Sequence, residues 1–456
     1  LKASSFVFTE RFIESSLSRY MVQFLVKALS VALFVVHFTV ALRAKIEDLQ
    51  MASESVELLP VLSFGGLDIS HKEVGREHGK LAKERIQAFL ATDFIEGLTA
   101  FRKGTGSTFF YRLVQTNTAA FPEYALEIGG IAEGANVTSD DIWMLNLMGE
   151  ITGAKEYNMT PGATSAVSPG THKASSNGVR DAWVDAAQSA HTSLAGTEGE
   201  HCSTILGLLS DGDLVLGHTE DWSAKFVDIL YLQNVVYPGG THLNGFGYPG
   251  QILGFAIVAN MHGLFFTQNS VWPKEVQDGL SLTLVGRRAM DEATIEAAIT
   301  RLQDGPLAWG VSVNIISFAE KRGANVEVSN GGAGGPSDVQ RCVNPGEFLF
   351  HFNAFTHLSG ANGMESATSR DRSAHQTALG PPHTVNELKE RMCYKGQDGQ
   401  LDAIYRPSTM MTWLVQVPKG AEARLVVWHG ISACEGEPAL NATWSADAGI
   451  QRSPRL

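Results

Sequence analysis

Glu200-His201-Cys202-Ser203-Thr204-Ile205-Leu206-Gly207-Leu208-Leu209-Ser210-Asp211-Gly212-Asp213-Leu214-Val215-Leu216-Gly217-His218-Thr219-Glu220-Asp221-Trp222 is the stretch whose reading decides the fold. Two apolar, β-rich runs flank Ser210-Asp211-Gly212-Asp213, and Asp-Gly between such runs is a strong short-range hairpin signal. The returning run brings Asp221 and Trp222 back toward Cys202, which opens the first strand. A Ser/Ala/Gly-rich segment runs straight into that cysteine. Scission of the 201–202 peptide bond would leave Cys202 with a thiol and a free α-amine. Such an amine titrates near pH 8 and can act as base for its own thiol. The plain alternative is a buried structural cysteine in an ordinary hairpin, because free Cys is among the most buried residue types.

Motifs on both sides of the hairpin add to this reading. Upstream stand Gly75-Arg76-Glu77-His78-Gly79, Glu127-Ile128-Gly129-Gly130-Ile131-Ala132-Glu133-Gly134-Ala135, and Leu145-Asn146-Leu147-Met148-Gly149-Glu150. Downstream stand Asn260-Met261-His262-Gly263-Leu264, Asn269, Ser312-Val313-Asn314, Glu327, His351-Phe352-Asn353 and Ser369-Arg370. Their order, over roughly residues 60–435, resembles cysteine peptidase family C45, the acyl-coenzyme A:6-aminopenicillanate acyltransferase and β-alanyl-dopamine hydrolase relatives. Cys202-Ser203-Thr204 is similar to that family's Cys-Thr-Thr/Ser start. Gly217-His218-Thr219-Glu220-Asp221-Trp222 is similar to its Gly-Gln-Asn-Trp-Asp-Trp exit. The residue before the cysteine departs from the family's glycine and is His201, which would either slow scission or assist it as a proton carrier.

The resemblance implies an α+β fold, the four-layer αββα sandwich of the N-terminal nucleophile hydrolases. It implies self-cleavage between His201 and Cys202, and hydrolysis of a small N-acyl amide through a thioester acyl-enzyme. Within that scheme Cys202 is the nucleophile and Asn314 the donor to the developing oxyanion. Asp221 holds the new amine or orients the scissile bond. Arg370 positions Asp221 or a substrate carboxylate, with Arg372 a close competitor. Asn146, Glu150, Asn260 and Asn269 are candidates for substrate contact or for support of the site. Transfer of an acyl group from a thioester such as acyl-CoA to an amine is the first alternative, and a catalytically inactive secreted binding protein the second. The two processed halves are expected to stay together as a heterodimer.

The chain divides into a leader over 1–50, a mostly helical segment over 51–201 and a β-rich segment over 202–456. The helical segment ends in a loop, 152–201, rich in Ser, Thr, Ala and Gly. Thr138-Ser139-Asp140-Asp141 reads as a helix start, and Gly79–Gly97, 286–303 and 371–379 read as helical. An apolar run of about fifteen residues after Lys27 suits a signal-peptide core better than a membrane span. A secretory or extracellular destination is therefore expected, with a membrane anchor or an organellar signal as the alternative. The sequons at Asn136, Asn158 and Asn441 agree with a secretory route. The terminal Pro454-Arg455-Leu456 only weakly resembles a peroxisomal tripeptide.

With a net charge of −13 and no Lys/Arg-rich run, the chain is not expected to bind nucleic acid. No arginine cluster stands ready for a coenzyme A, which favours amide hydrolysis over thioester-dependent transfer. Cys202, Cys342, Cys393 and Cys434 show no Cys-x-x-Cys spacing. His351 and His357 fit no standard metal spacing, and the glycines of 331–335 lack the Lys-Ser/Thr of a phosphate loop. Gly-x-Ser-x-Gly is absent. No cofactor and no metal are expected from these patterns.

Overall fold

The computed structural model describes residues 59–156, 202–273, 275–330, 337–361, 363–397, 401–430, 436–445 and 449–452. The leader, His201, most of the 152–201 loop, Asn158, Cys434 and the terminal tripeptide lie outside the described residues.

The decisive hairpin forms with the expected turn. Strands β2 (Ser203–Leu208) and β3 (Leu214–Asp221) are antiparallel, with Ser203 opposite Thr219 and Thr204 opposite His218. Gly212 takes φ +90°, a left-handed geometry that a residue with a Cβ rarely adopts, and Asp211 accepts the Asp213 amide.

Around this hairpin two sheets are built. The first has eight strands in the order β1 (Val61–Gly65), β4 (Leu232–Val236), β5 (His242–Phe246), β6 (Ile257–Asn260), β7 (Leu264–Ser270), β9 (Val311–Ser317), β10 (Arg322–Val328) and β11 (Ser337–Cys342). The second has seven, in the order β12 (Phe348–His351), β2, β3, β14 (Thr409–Val417), β15 (Ala423–His429), β16 (Leu440–Ser445) and β17 (Gly449–Arg452). Two short strands, β8 (Trp272–Pro273) and β13 (Gly363–Met364), pair separately. Every pairing is antiparallel except that of β1 with β4. β1 is thus the exception within the segment expected to be helical.

The sheets face each other through alternate side chains of the hairpin. Leu206, Leu208, Leu214 and Leu216 lie in the large apolar core between them, whereas Ile205 and Val215 join a second cluster on the far face. Such alternation is the period-two signature of strands packed on both sides. Helix α11 (Val385–Met392) covers that far face and presses Leu388 and Met392 onto Gly217. On the outer face of the first sheet lie α8 (Leu282–Ala289) and α9 (Ile295–Leu302), and α10 (Ala367–Leu379) lies by β12. The layers therefore run helix, sheet, sheet, helix: an α+β sandwich.

Seven helices precede the hairpin among the described residues: α1 (His71–Leu81), α2 (Lys83–Leu90), α3 (Asp93–Lys103), α4 (Ser107–Ala120), α5 (Pro122–Ala135), α6 (Ser139–Asn146) and α7 (Met148–Glu156). Thr138 and Asp141 form a full capping box at the head of α6. The expected helix over 286–303 is instead two helices. Thr294 caps α9 through the Ala297 amide, and Asp291 is turned back to Arg287.

The closest helix pairing, α1 on α5, is a mesh of glycines four residues apart. A Cβ on Gly75 would fall 2.0 Å from the Glu127 carbonyl oxygen, and one on Gly79 2.2 Å from that of Ile131. From the other side, Gly130 would strike the Lys72 carbonyl oxygen at 2.0 Å and Gly134 that of Arg76 at 2.2 Å. Backbone packs on backbone here, and no side chain fits between. Two buried side chains then tie the helices to the sheets. Asn146 donates to the Gly250 carbonyl and accepts the Ile252 amide, while Glu150 accepts the Leu282 amide at 2.8 Å, at the head of α8.

Two predictions follow from this packing. Gly130→Ala is expected to destabilise the protein by several kcal/mol or to prevent folding, since backbone oxygen cannot yield to the new methyl. Gly129→Ala, with nothing within 4 Å, is expected to be neutral or stabilising by up to about 1 kcal/mol. Urea midpoints of the two variants separate them, and equal midpoints would refute the mesh. The second concerns Glu150, whose carboxyl is pushed up to about 7 by burial. A carboxyl raised in the folded state contributes stability at low pH that is lost as pH rises through about 7. Glu150→Gln keeps the acceptor and removes the titration. It should therefore gain on the wild type between pH 5 and 8, by up to about 3 kcal/mol. A constant difference across that range would show that Glu150 does not titrate there.

Candidate active site

Cys202 sits immediately before β2 and is almost fully buried. Its carbonyl oxygen accepts from Asn269 Nδ2 at 2.9 Å and from Arg372 Nη1 at 3.3 Å. The same Arg372 nitrogen donates to Ser203 Oγ at 2.8 Å, and Nη2 donates to Asn353 Oδ1 at 3.2 Å. Asn353 is itself held at φ +69° in the turn after β12 and donates to the Ser270 carbonyl. The Cys202 carbonyl is thereby held from β7 and α10 and the Ser203 hydroxyl from α10, with the β12 turn holding Arg372.

Arg370, expected to position Asp221 or a substrate carboxylate, is exposed on α10 and is not the arginine bound to Asp221. Ser366 caps that helix by accepting the Ser369 amide, which sets its phase. Thr368, Ser369 and Arg372 then face inward, and a residue two before Arg372 points away. The arginine on Asp221 is instead Arg406, whose Nη2 donates to Asp221 Oδ2 at 2.7 Å. Thr219 Oγ1 donates to the same oxygen at 2.9 Å and accepts the Ser203 amide at 3.1 Å. Asp221 Oδ1 is buried and makes no hydrogen bond. Sequence reasoning missed Arg406, and nothing local marks it. It lies 185 residues from its partner and meets it only because β14 pairs with β3.

Asn314, on β9, does not reach Cys202. Its Nδ2 donates to Asn269 Oδ1 at 2.7 Å and to Thr204 Oγ1 and Thr267 Oγ1, each at 3.2 Å, while its Oδ1 accepts from Asn325. Asn269, one link nearer, is the amide that touches Cys202. Of the other expected residues, Asn146 and Glu150 are the helix ties described above. Asn260 clips the β6–β7 turn by accepting the His262 and Leu264 amides and donating to the Met290 and Glu292 carbonyls. None of their bonds reaches Cys202, Asp221 or Asn314. Glu327 accepts the Thr356, His357 and Leu358 amides and pairs with His351. Burial opposes its ionisation, but these donors hold its carboxyl down to about 2.

The side chain of Cys202 faces the interior between the sheets, in the row of Thr204, His218 and Glu220. Burial raises its thiol well above the ordinary range, and the charges of Glu220 and Asp221 raise it further; the Asp221 amide opposes them. In the intact chain the sulfur is therefore a thiol. Among the described cysteines Cys342 is also free and buried, and Cys393 is in a disulfide.

Residues 208–425, beginning six positions past Cys202, match the family model described as acyl-coenzyme A:6-aminopenicillanic acid acyl-transferase. The Drosophila melanogaster beta-alanyl-dopamine/carcinine hydrolase is 22% identical over 364 residues, 74% of this chain and 83% of that protein. The solved structure of the Caenorhabditis elegans N-acylethanolamine-hydrolyzing acid amidase ortholog is 13% identical. It covers 47% of this chain and 92% of its own, with a TM-score of 0.34. The matched family and the fly relative are an acyltransferase family and a hydrolase, which supports an enzyme of that class, and over residues 208–425 this chain is similar to the acyl-coenzyme A:6-aminopenicillanic acid acyl-transferase family.

Proposed function

We propose that this protein is an N-terminal-cysteine amidohydrolase, cut by itself between His201 and Cys202, that cleaves small N-acyl amides. The observation that carries the reading is the clamp on Cys202. Asn269 and Arg372 hold its carbonyl, and a buried carboxylate beside it, Asp221, keeps one oxygen without a partner. That free oxygen suits an ammonium group created at Cys202 by scission. A cation there would also offset the two carboxylates that now hold the thiol protonated.

The cycle then needs few parts. The Cys202 sulfur adds to the amide carbon, and its proton passes to the α-amine. The amine hands that proton to the leaving nitrogen as the C–N bond breaks, giving a thioester. Water activated by the same amine releases the acid and restores the thiol. Asn269, which now donates to the Cys202 carbonyl and is oriented by Asn314, is the neutral amide we assign to turn to the oxyanion. The family description names acyl transfer and the fly relative is named a hydrolase. Both proceed through the same acyl-enzyme, and the absence of an arginine cluster for a coenzyme favours water as acceptor.

Intact mass and amino-terminal sequencing of purified protein test this. Wild type is expected to contain a fragment beginning at Cys202, and Cys202→Ala only the uncut chain. Arg370→Ala should process like wild type. Arg372→Ala should slow scission about tenfold or more, since it frees the carbonyl and hydroxyl beside the thiol. An uncut wild-type chain, or equal effects of the two arginine variants, would overturn the mechanism.

A further inference from the structure

We propose that Cys202, His218 and Glu220 form a binding site for a thiophilic divalent cation, with Zn²⁺ the best-suited ion. The three side chains lie on the inner face of the hairpin because Thr204 is opposite His218 and side chains alternate along each strand. Their donor atoms all lie within 4.8 Å of one another, and all three residues are buried. His218 Nε2 is 3.4 Å from Glu220 Oε2. Two ligands bound at about 2.0–2.2 Å in tetrahedral geometry are separated by about 3.4 Å, so this pair already has the spacing of a zinc edge.

The surrounding bonds leave the space between the two atoms of the pair to a proton or a cation. Thr204 Oγ1 donates to Asn269 Oδ1 at 2.8 Å and accepts from Asn314, so its contact with His218 Nδ1, also 2.8 Å, is one in which the imidazole donates. With the proton on Nδ1, His218 turns its Nε2 lone pair toward Glu220 Oε2. Two acceptors face each other in a dry interior, an arrangement that a proton or a cation must fill.

The outer contacts are those of a metal site. The non-binding nitrogen of His218 is anchored on Thr204, and the second oxygen of Glu220 accepts from the Tyr248 hydroxyl. Such partners fix the tautomer and orientation of metal-binding side chains. Binding displaces the thiol proton to solvent and leaves a thiolate, a nitrogen and a carboxylate on the ion, with one position open. Were Cys202 freed by scission, its amine would fill that position and close a five-membered chelate ring with the sulfur. That step, and the loss of a nucleophile to the cation, rest on the function proposed above; the three-ligand site does not.

Co²⁺ titration of the purified protein, read by the near-ultraviolet sulfur-to-cobalt charge-transfer band, is the test. One Co²⁺ per chain is expected, displaced by Zn²⁺. Cys202→Ser should lose the band and Cys342→Ser keep it. His218→Gln and Glu220→Gln should each weaken binding about tenfold or more, and Tyr248→Phe, a milder change that keeps the ring, should also weaken it about tenfold. No band in wild type, a band surviving Cys202→Ser, or wild-type affinity in Tyr248→Phe together with whichever of the His218 and Glu220 variants folds would overturn the site. The two readings fail separately. Scission dependent on Cys202 without a cobalt band would sink only the metal site, and a cobalt band in an uncut chain only the processing mechanism.

Discussion

The registration of β2 against β3 is the constraint on which the rest depends. Because side chains alternate along a strand, pairing Thr204 with His218 sends Cys202, Thr204, Leu206 and Leu208 to the sheet interface, with Leu214, Leu216, His218 and Glu220. A slip of one residue would exchange that set for Ser203, Ile205, Val215 and Gly217. Two contacts block such a slip. α11 sits so close over Gly217 that a Cβ there would meet Met392 at 2.5 Å, so a slip bringing a side chain to that face would displace Met392. At the polar end, Thr204 is locked to Asn269 and Asn314 of the opposite sheet.

The sandwich interior is thus apolar along most of its length and polar at one end, and the polar end is continuous. Asn325 donates to Asn314, Asn314 to Asn269, and Asn269 to the Cys202 carbonyl. Buried amides are tolerated only when their donors and acceptors are matched, and a chain of them aims the last member more firmly than a lone side chain would be aimed. Asn314 therefore shapes the nucleophile's surroundings without touching it, and its influence passes through the orientation of Asn269.

What could be read in the sequence was local. The Asp-Gly turn, the helix start at Thr138 and the hairpin strands β2 and β3 depend on neighbouring residues and were legible. So, in principle, was the phase of α10. Ser366 is a cap by type, and counting from it puts Arg372 with Thr368 and Ser369 inside and Arg370 outside. The glycines at 75, 79, 130 and 134 carry a four-residue spacing that signals close helix approach. Arg406 could not be read, because its partner is set by the pairing of β14 with β3. Nor could Asn146, Glu150 and Asn260 be sorted from true site residues, since a motif records that a side chain matters and not whether it holds a backbone or a substrate.

The electrostatics of the centre explain why these features belong together. Glu220 and Asp221 are successive residues on β3, so alternation sends one carboxylate into the interior and the other outward. Arg406 and Thr219 satisfy one oxygen of Asp221, while Glu220 has the Tyr248 hydroxyl and an imidazole that is itself anchored. Burial comes first in holding the thiol up, and the charges of Glu220 and Asp221 add to it. A thiol so placed is inert until positive charge arrives beside it. The two sources of such charge that fit here, a terminal ammonium and a divalent ion, have opposite consequences, since the first leaves the sulfur's lone pairs free to attack and the second binds them. The same carboxylates that would make Cys202 receptive to activation by an ammonium would make it receptive to a metal, a direct result of placing a thiol in a negatively charged interior.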